Sequence, residues 1–140
     1  MIVDGFTDNL VADLIRDEGQ KNFPYKDSTG ILTIGVGRNL EDRGLSDDEV
    51  SILLGNDLVW VADDLDREVP WWRDMPETKQ RALANMCFNL GMPRLSKFKL
   101  MLTALEAGDW VEAANQALDS RWADQVGERA NRIAELFLEV

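Results

Sequence analysis

One helical pattern in the middle of the chain restricts the fold more than any other feature. Ser46-Asp47-Asp48-Glu49 is a capping box: a serine hydroxyl and a glutamate three residues later each satisfy the other's backbone N–H. Val50, Leu53, Leu54, Leu58, Val61 and Leu65 follow at helical spacing, and Pro70 ends the run. The pattern predicts a helix of about 20 residues, roughly 30 Å long at 1.5 Å per residue. The chain has only 140 residues, so such a helix is expected to bridge two closely coupled lobes.

The flanking patterns differ. Residues 7–18 carry Leu10, Val11, Leu14 and Ile15 as a helical stripe, with Thr7 as the expected N-cap and Gly19 as the stop. From Phe23 to Gly37 the period changes. Tyr25-Lys26-Asp27, the turn-rich Ser28-Thr29-Gly30 and the strand-like Ile31-Leu32-Thr33-Ile34 predict a small hairpin or meander. After Pro76 the chain reads as helices over 77–90, 95–107, 110–119 and 128–138, the first two stopped by Gly91 and Gly108. No internal repeat is present. The expected class is α+β, with a small β-containing lobe at about 19–46 and a helical lobe from 1–18 and 47–140.

Composition removes whole classes of chemistry. The chain has no histidine and one cysteine, Cys87, so Ser-His and Cys-His nucleophile systems and most catalytic zinc sites are out. Cys87 lies in an apolar helical stretch and reads as a small buried hydrophobe. Acid–base work falls to carboxylates. A net charge of -11 opposes nucleic acid and anionic membranes as targets and favours a neutral or polar polymer such as a sugar chain. No run of apolar residues is long enough to span a bilayer, and residues 1–10, with Asp4 and Asp8, lack the pattern of a secretory signal. Neither metal nor cofactor is called for.

Glu18, Asp27 and Thr33 form the candidate constellation. Glu18 should end the first helix. Asp27 and Thr33, an even offset apart across a tight hairpin, should share a face. Glycoside hydrolysis uses one protonated carboxylic acid toward the leaving oxygen and one ionised carboxylate for water or direct attack; a hydroxyl helps hold the water. The chain holds 26 Asp and Glu, so spacing alone equally fits a solvated helix-end glutamate, a turn-forming aspartate and a β-branched strand residue.

The order of the motifs adds specificity. Leu14-Ile15-Arg16-Asp17-Glu18-Gly19, Tyr25-Lys26-Asp27-Ser28-Thr29-Gly30 and Leu32-Thr33-Ile34-Gly35-Val36-Gly37 resemble the N-terminal signature of phage-type lysozymes, the glycoside hydrolases typified by the lysozyme of T-even phages. Residues 81–91, 109–114, 120–122 and 129–132 continue the resemblance over nearly the whole chain. It implies a lysozyme-like α+β fold and inverting cleavage of the β-1,4 link from N-acetylmuramic acid to N-acetylglucosamine in peptidoglycan. It makes Glu18 the general acid, with Asp27 and Thr33 holding the water. Arg129 corresponds to the arginine that pairs with the catalytic glutamate, and Phe88, Asn89 and Asn39 are the expected substrate contacts. It further implies a monomer in the host cytoplasm that reaches the wall with help from a membrane-permeabilising partner such as a holin, without stable membrane insertion.

Three departures from the family pattern stand out. Arg38 replaces a histidine that often follows the second glycine, and an arginine does not titrate near neutrality. The segment 38–46 is short, which should reduce the small lobe. The chain is acidic where many relatives are basic, so moderate salt should raise lysis rates by screening repulsion from an anionic wall. Asp63-Asp64-Leu65-Asp66 reads as a solvated helix face, Trp71-Trp72 as packing at a helix junction, and Trp110 and Trp122 as core. The rival function is a catalytically silent lysozyme-like module that binds wall glycan.

Overall fold

A computed structural model describes residues 5–140. Among the described residues, eight α-helices and one three-stranded antiparallel sheet, in the order β1-β2-β3, make an α+β protein. The chain divides into two compact units, Met1–Ser51 and Ile52–Val140. The first takes the N-terminal helix together with the sheet, where the sequence grouped 1–18 with the later helices.

The first unit contains α1 (Gly5–Glu18), β1 (Lys21–Lys26), β2 (Leu32–Gly35) and β3 (Arg38–Asn39). Helix α1 already runs from Gly5, so Thr7 lies inside it and is not its N-cap; the stretch 1–10 read for its charges is only partly within the described residues. The helix ends as expected at Gly19, whose N–H donates to the Ile15 carbonyl at 2.8 Å. Tyr25 pairs with Thr33 and Lys26 with Leu32 across β1 and β2, with an irregularity in register nearer Lys21. Thr33 in turn pairs with Asn39 across β2 and β3.

The long helix is α2 (Asp47–Glu68), with 22 residues. The capping box forms: the Ser46 N–H donates to Glu49 Oε1 at 2.9 Å, and the Glu49 N–H to Ser46 Oγ at 3.2 Å. Arg38 joins this cap by donating to Glu49 Oε1 at 2.7 Å and to the Gly44 carbonyl at 3.1 Å. Arg38 therefore ties the end of the sheet to the start of α2.

The second unit holds the core. Val61 and Leu65 of α2 are buried together with Leu83, Met86 and Cys87 of α3 (Glu77–Leu90) and with Ile133 and Phe137 of α8 (Glu128–Leu138). Helix α6 (Trp110–Leu118) begins at Asp109, whose carboxylate accepts from the Glu112 N–H at 3.1 Å. It buries Ala113, Ala114 and Ala117, and packs on α8, which buries Ala130 and Ala134. These small side chains let the two helix backbones approach closely. Trp72 sits in a short 3-10 turn after α2, buried as expected, with its indole N–H on Asp66 Oδ1 at 2.7 Å. Asp66 also accepts from Arg73, and Asp64 from Arg67, so the acidic run is partly paired rather than simply solvated.

The single helix expected over 95–107 is instead two: α4 (Met92–Leu95) and α5 (Lys99–Ala107). Phe98 breaks the path at φ -79°, ψ 57°, and its ring meets Trp122 edge-on at 6.3 Å. Trp122 belongs to α7 (Arg121–Val126), a short helix that the periodicity does not announce; Ser120 caps it by accepting from the Ala123 N–H.

Candidate active site

The geometry around Asp27 follows from its local sequence. Asp-Ser-Thr-Gly suits a turn, and Gly30 supplies it with a φ of 84°, in the left-handed region that favours glycine. The Asp27 N–H donates to the Ile31 carbonyl at 2.9 Å, which continues the pairing of β1 and β2 into the turn. Three donors then converge on one carboxylate oxygen. Asp27 Oδ1 accepts from the Ile31 N–H at 2.9 Å, the Thr29 hydroxyl at 2.7 Å and the Thr29 N–H at 2.8 Å. These bonds, that from Ile31 foremost and then those from Thr29, hold the carboxyl below the usual aspartate range and keep it ionised. Oδ2 remains to accept from another donor.

Thr33 stands on the same face of the hairpin. Asp27 lies opposite Ile31, and Thr33 is two residues beyond Ile31, so the period of a strand points all three the same way. Its hydroxyl donates to the Ile31 carbonyl at 2.8 Å, which leaves its oxygen as an acceptor. Thr33 is buried, at 4% exposure, the one buried side chain of its unit among the described residues. Tyr25 and Asn39 are its cross-strand partners and share that face. The Asn39 amide is itself engaged in the following loop: its Oδ1 accepts from the Asp42 N–H at 2.9 Å.

Glu18, exposed at the end of α1, reaches the turn between β2 and β3. A Cβ built on Gly37 would stand 3.2 Å from Glu18 Oε2, and Gly37 has a φ of 69°. The left-handed backbone demands glycine there, and the Glu18 carboxylate lies so close that a Cβ would make it yield by a few tenths of an ångström. Glu18, Asp27, Thr33 and Asn39 thus all belong to the first unit, and the last three share one face of its sheet.

The remaining candidates lie in the second unit. Phe88, 44% exposed, and Arg129 line one hollow of about 320 Å3 with Leu54, Leu58, Arg81 and Asn85. That is near the small end of ligand sites, roughly 300–1,000 Å3. Arg129 Nε donates to Asn85 Oδ1 at 2.9 Å. Asn89 does not join this hollow; its Oδ1 accepts from the Trp122 indole N–H at 2.8 Å. Asn85 and Arg81 escaped the reading of the sequence. The signal was an asparagine inside the apolar run Leu83-Ala84-Asn85-Met86, one helical turn before Phe88. Cys87 is buried as expected, and burial pushes its thiol up to about 11, which makes it unreactive.

Known proteins agree with this reading at the level of the family. The model of the phage lysozyme family matches residues 16–135, a span that includes every candidate above. The pre-baseplate central spike protein Gp5 of Enterobacteria phage T4 is 30% identical over 89% of the chain, although the chain spans only 27% of that protein. The SAR-endolysin of Escherichia phage Mu is 35% identical, covering 91% of the chain and 73% of the endolysin. Probable T4-type lysozyme 2 of Dictyostelium discoideum is 27% identical, covering 91% of the chain and 92% of that protein. With the matched span running through nearly all of its helices and the whole of its sheet, the chain belongs to the phage lysozyme family.

Proposed function

We infer that the protein is a muramidase that hydrolyses the β-1,4 bond between N-acetylmuramic acid and N-acetylglucosamine in peptidoglycan, with inversion. The observation that carries this is the Asp27 carboxylate, kept ionised by its donors, on the same face of the hairpin as the Thr33 hydroxyl. Each has accepting capacity left. A water donating one hydrogen to Asp27 Oδ2 and the other to Thr33 Oγ1 directs its own lone pair at the anomeric carbon. Three donors make Asp27 a weak base, better suited to orienting water than to pulling a proton early. That fits an oxocarbenium-like transition state, in which the sugar already carries much of the positive charge. Glu18, in the same unit, is assigned the general acid that protonates the leaving oxygen. Phe88 and the Arg129 hollow are assigned to sugar binding in the helical unit; pairing of Arg129 with Glu18 rests on the family resemblance alone. The setting that fits is lysis of a bacterial host, with a membrane-permeabilising partner such as a holin for access to the wall. No helix among the described residues is long and apolar enough to cross a membrane.

Two measurements test this. Wild type should clear a suspension of outer-membrane-permeabilised cells, and Glu18→Gln should not. Mass analysis of products from purified sacculi should then find reducing muramic ends. Anhydro-muramic ends would instead mean internal transfer without water and would remove the roles given to Asp27 and Thr33. Binding of sacculi with no clearance by either protein would leave a silent glycan-binding module.

A further inference from the structure

The charge of this acidic chain is unevenly spread. Between Glu77 and Glu106 there is no Asp or Glu, although the chain carries 26 of them, and Arg94, Lys97 and Lys99 fall in that stretch. All three are exposed, as is Arg121 at the start of α7. None of the four forms an ion pair among the described residues. The fold gathers them on one face. Arg94, Lys97 and Arg121 line a hollow with Phe98, Trp122 and Gln125. A second hollow shares Lys97, Phe98 and Ser120 with it and adds Lys99 and Leu100. Asp119 is the one acid lining either. Leu100, 67% exposed, stands beside the lysines with no packing role in the core.

Unpaired cations around an exposed leucine have the chemistry of an interfacial contact. The cations attract phosphate headgroups, and the leucine enters the apolar boundary below them. The overall charge of -11 does not cancel this. Salt screens charges beyond about 8–10 Å at ordinary ionic strength, so a surface in contact with this face feels chiefly these four cations. The acids elsewhere then favour a single orientation, with the basic face down. We propose that the face formed by Arg94, Lys97, Lys99, Leu100 and Arg121 docks reversibly on an anionic phospholipid surface. This contact is peripheral and independent of glycan cleavage, so it stands or falls apart from the muramidase reading.

Cosedimentation of the full chain with vesicles tests it, using phosphatidylglycerol mixed with phosphatidylethanolamine against phosphatidylcholine alone. Wild type should sediment with the anionic vesicles at about 0.1 M salt, where the distant acids are screened, and release as salt rises towards about 1 M. Joint replacement of Arg94, Lys97 and Arg121 by glutamine should weaken binding by at least about tenfold, given the usual gain per basic residue near such a surface. Leu100→Ser should weaken it about fivefold, as expected for losing part of a buried leucine. Arg94→Lys should bind as wild type. All these side chains are exposed, so the fold should survive, and Glu18→Gln should sediment like wild type whatever it does to catalysis. Equal sedimentation with neutral vesicles, or an unaffected triple variant, overturns the proposal. So does complete displacement by millimolar inorganic phosphate with no effect of Leu100→Ser, which would make the face a site for a soluble anion.

Discussion

Every buried apolar side chain among the described residues belongs to 52–140, whereas the buried side chain of 5–51 is a threonine. The helical unit is held by burial: Leu65, Leu83, Met86, Ile133 and Phe137 are almost wholly removed from water. The unit that bears the candidate catalytic groups is held instead by directed bonds. Three donors converge on Asp27, Arg38 joins Glu49 to Gly44, and Glu18 rests on a glycine. Burial tolerates change of detail because it is non-directional, while directed bonds fail one at a time. One unit should therefore respond to substitution in stability and the other in activity.

The largest effect should come from Leu83→Ala, which leaves a cavity in the core and costs about 2–5 kcal/mol. Urea unfolding measures it, and the activity of the folded fraction should be unchanged. A loss under about 1 kcal/mol would mean that the core collapses around the gap and would blunt the contrast. Asp27→Asn should do the reverse. The amide keeps a carbonyl oxygen for Ile31 and Thr29 but loses the charge, so clearance rates should fall about a hundredfold, as for removal of an electrostatic or acid–base contribution. If its urea midpoint moves as far as that of Leu83→Ala, Asp27 is a structural support first.

Gly37→Ala ranks next. It combines a left-handed backbone, costing about 1–2 kcal/mol in a non-glycine residue, with a methyl that meets Glu18. The expected result is a lower kcat with KM little changed, since the displaced group is assigned to chemistry rather than to binding. A pure rise in KM would detach Glu18 from the acid role.

The smallest effect concerns acid. The Arg38 guanidinium, helped by the Ser46 N–H, pulls the Glu49 carboxyl from its ordinary 4.5 to about 2. Its folded-state value is depressed, so the unfolded chain takes up the proton first. The stability from this pair is fully present above pH 4.5 and is lost as pH falls toward 2. Asp27, also lowered, adds to the same acid limb. The Arg38–Glu49 pair is partly exposed, which keeps the effect small. Arg38→Met should make stability fall less steeply over that window while leaving a flat offset above it. Parallel curves for the two proteins would show that the pair carries no linked proton.

Much of the fold was legible in the sequence because its signals are local. Ser46 and Glu49 cap α2, and glycines end α1, α3 and α5, each within a few residues of what it controls. The shared face of Asp27 and Thr33 was legible as strand parity. The break at Phe98 was not, because the ring that it packs against, Trp122, is distant in sequence. The partner of Asn89 was hidden for the same reason. The family resemblance makes Asn89 a substrate contact, and in the fold its oxygen accepts from the indole N–H of Trp122, 33 residues away.

Periodicity, caps and turn residues act over one or two helical turns, so the chain by itself determined where its elements lie, that carboxylates must carry any acid–base chemistry, and which family signature it bears. Tertiary structure alone decided that the Trp122 indole meets Asn89, that Arg38 clasps the cap of α2, and that four cations share a face in an acidic protein. Those outcomes depend on hydrogen-bond geometry and on proximity between residues far apart in the chain, and neither is encoded in the spacing of one residue type along a line.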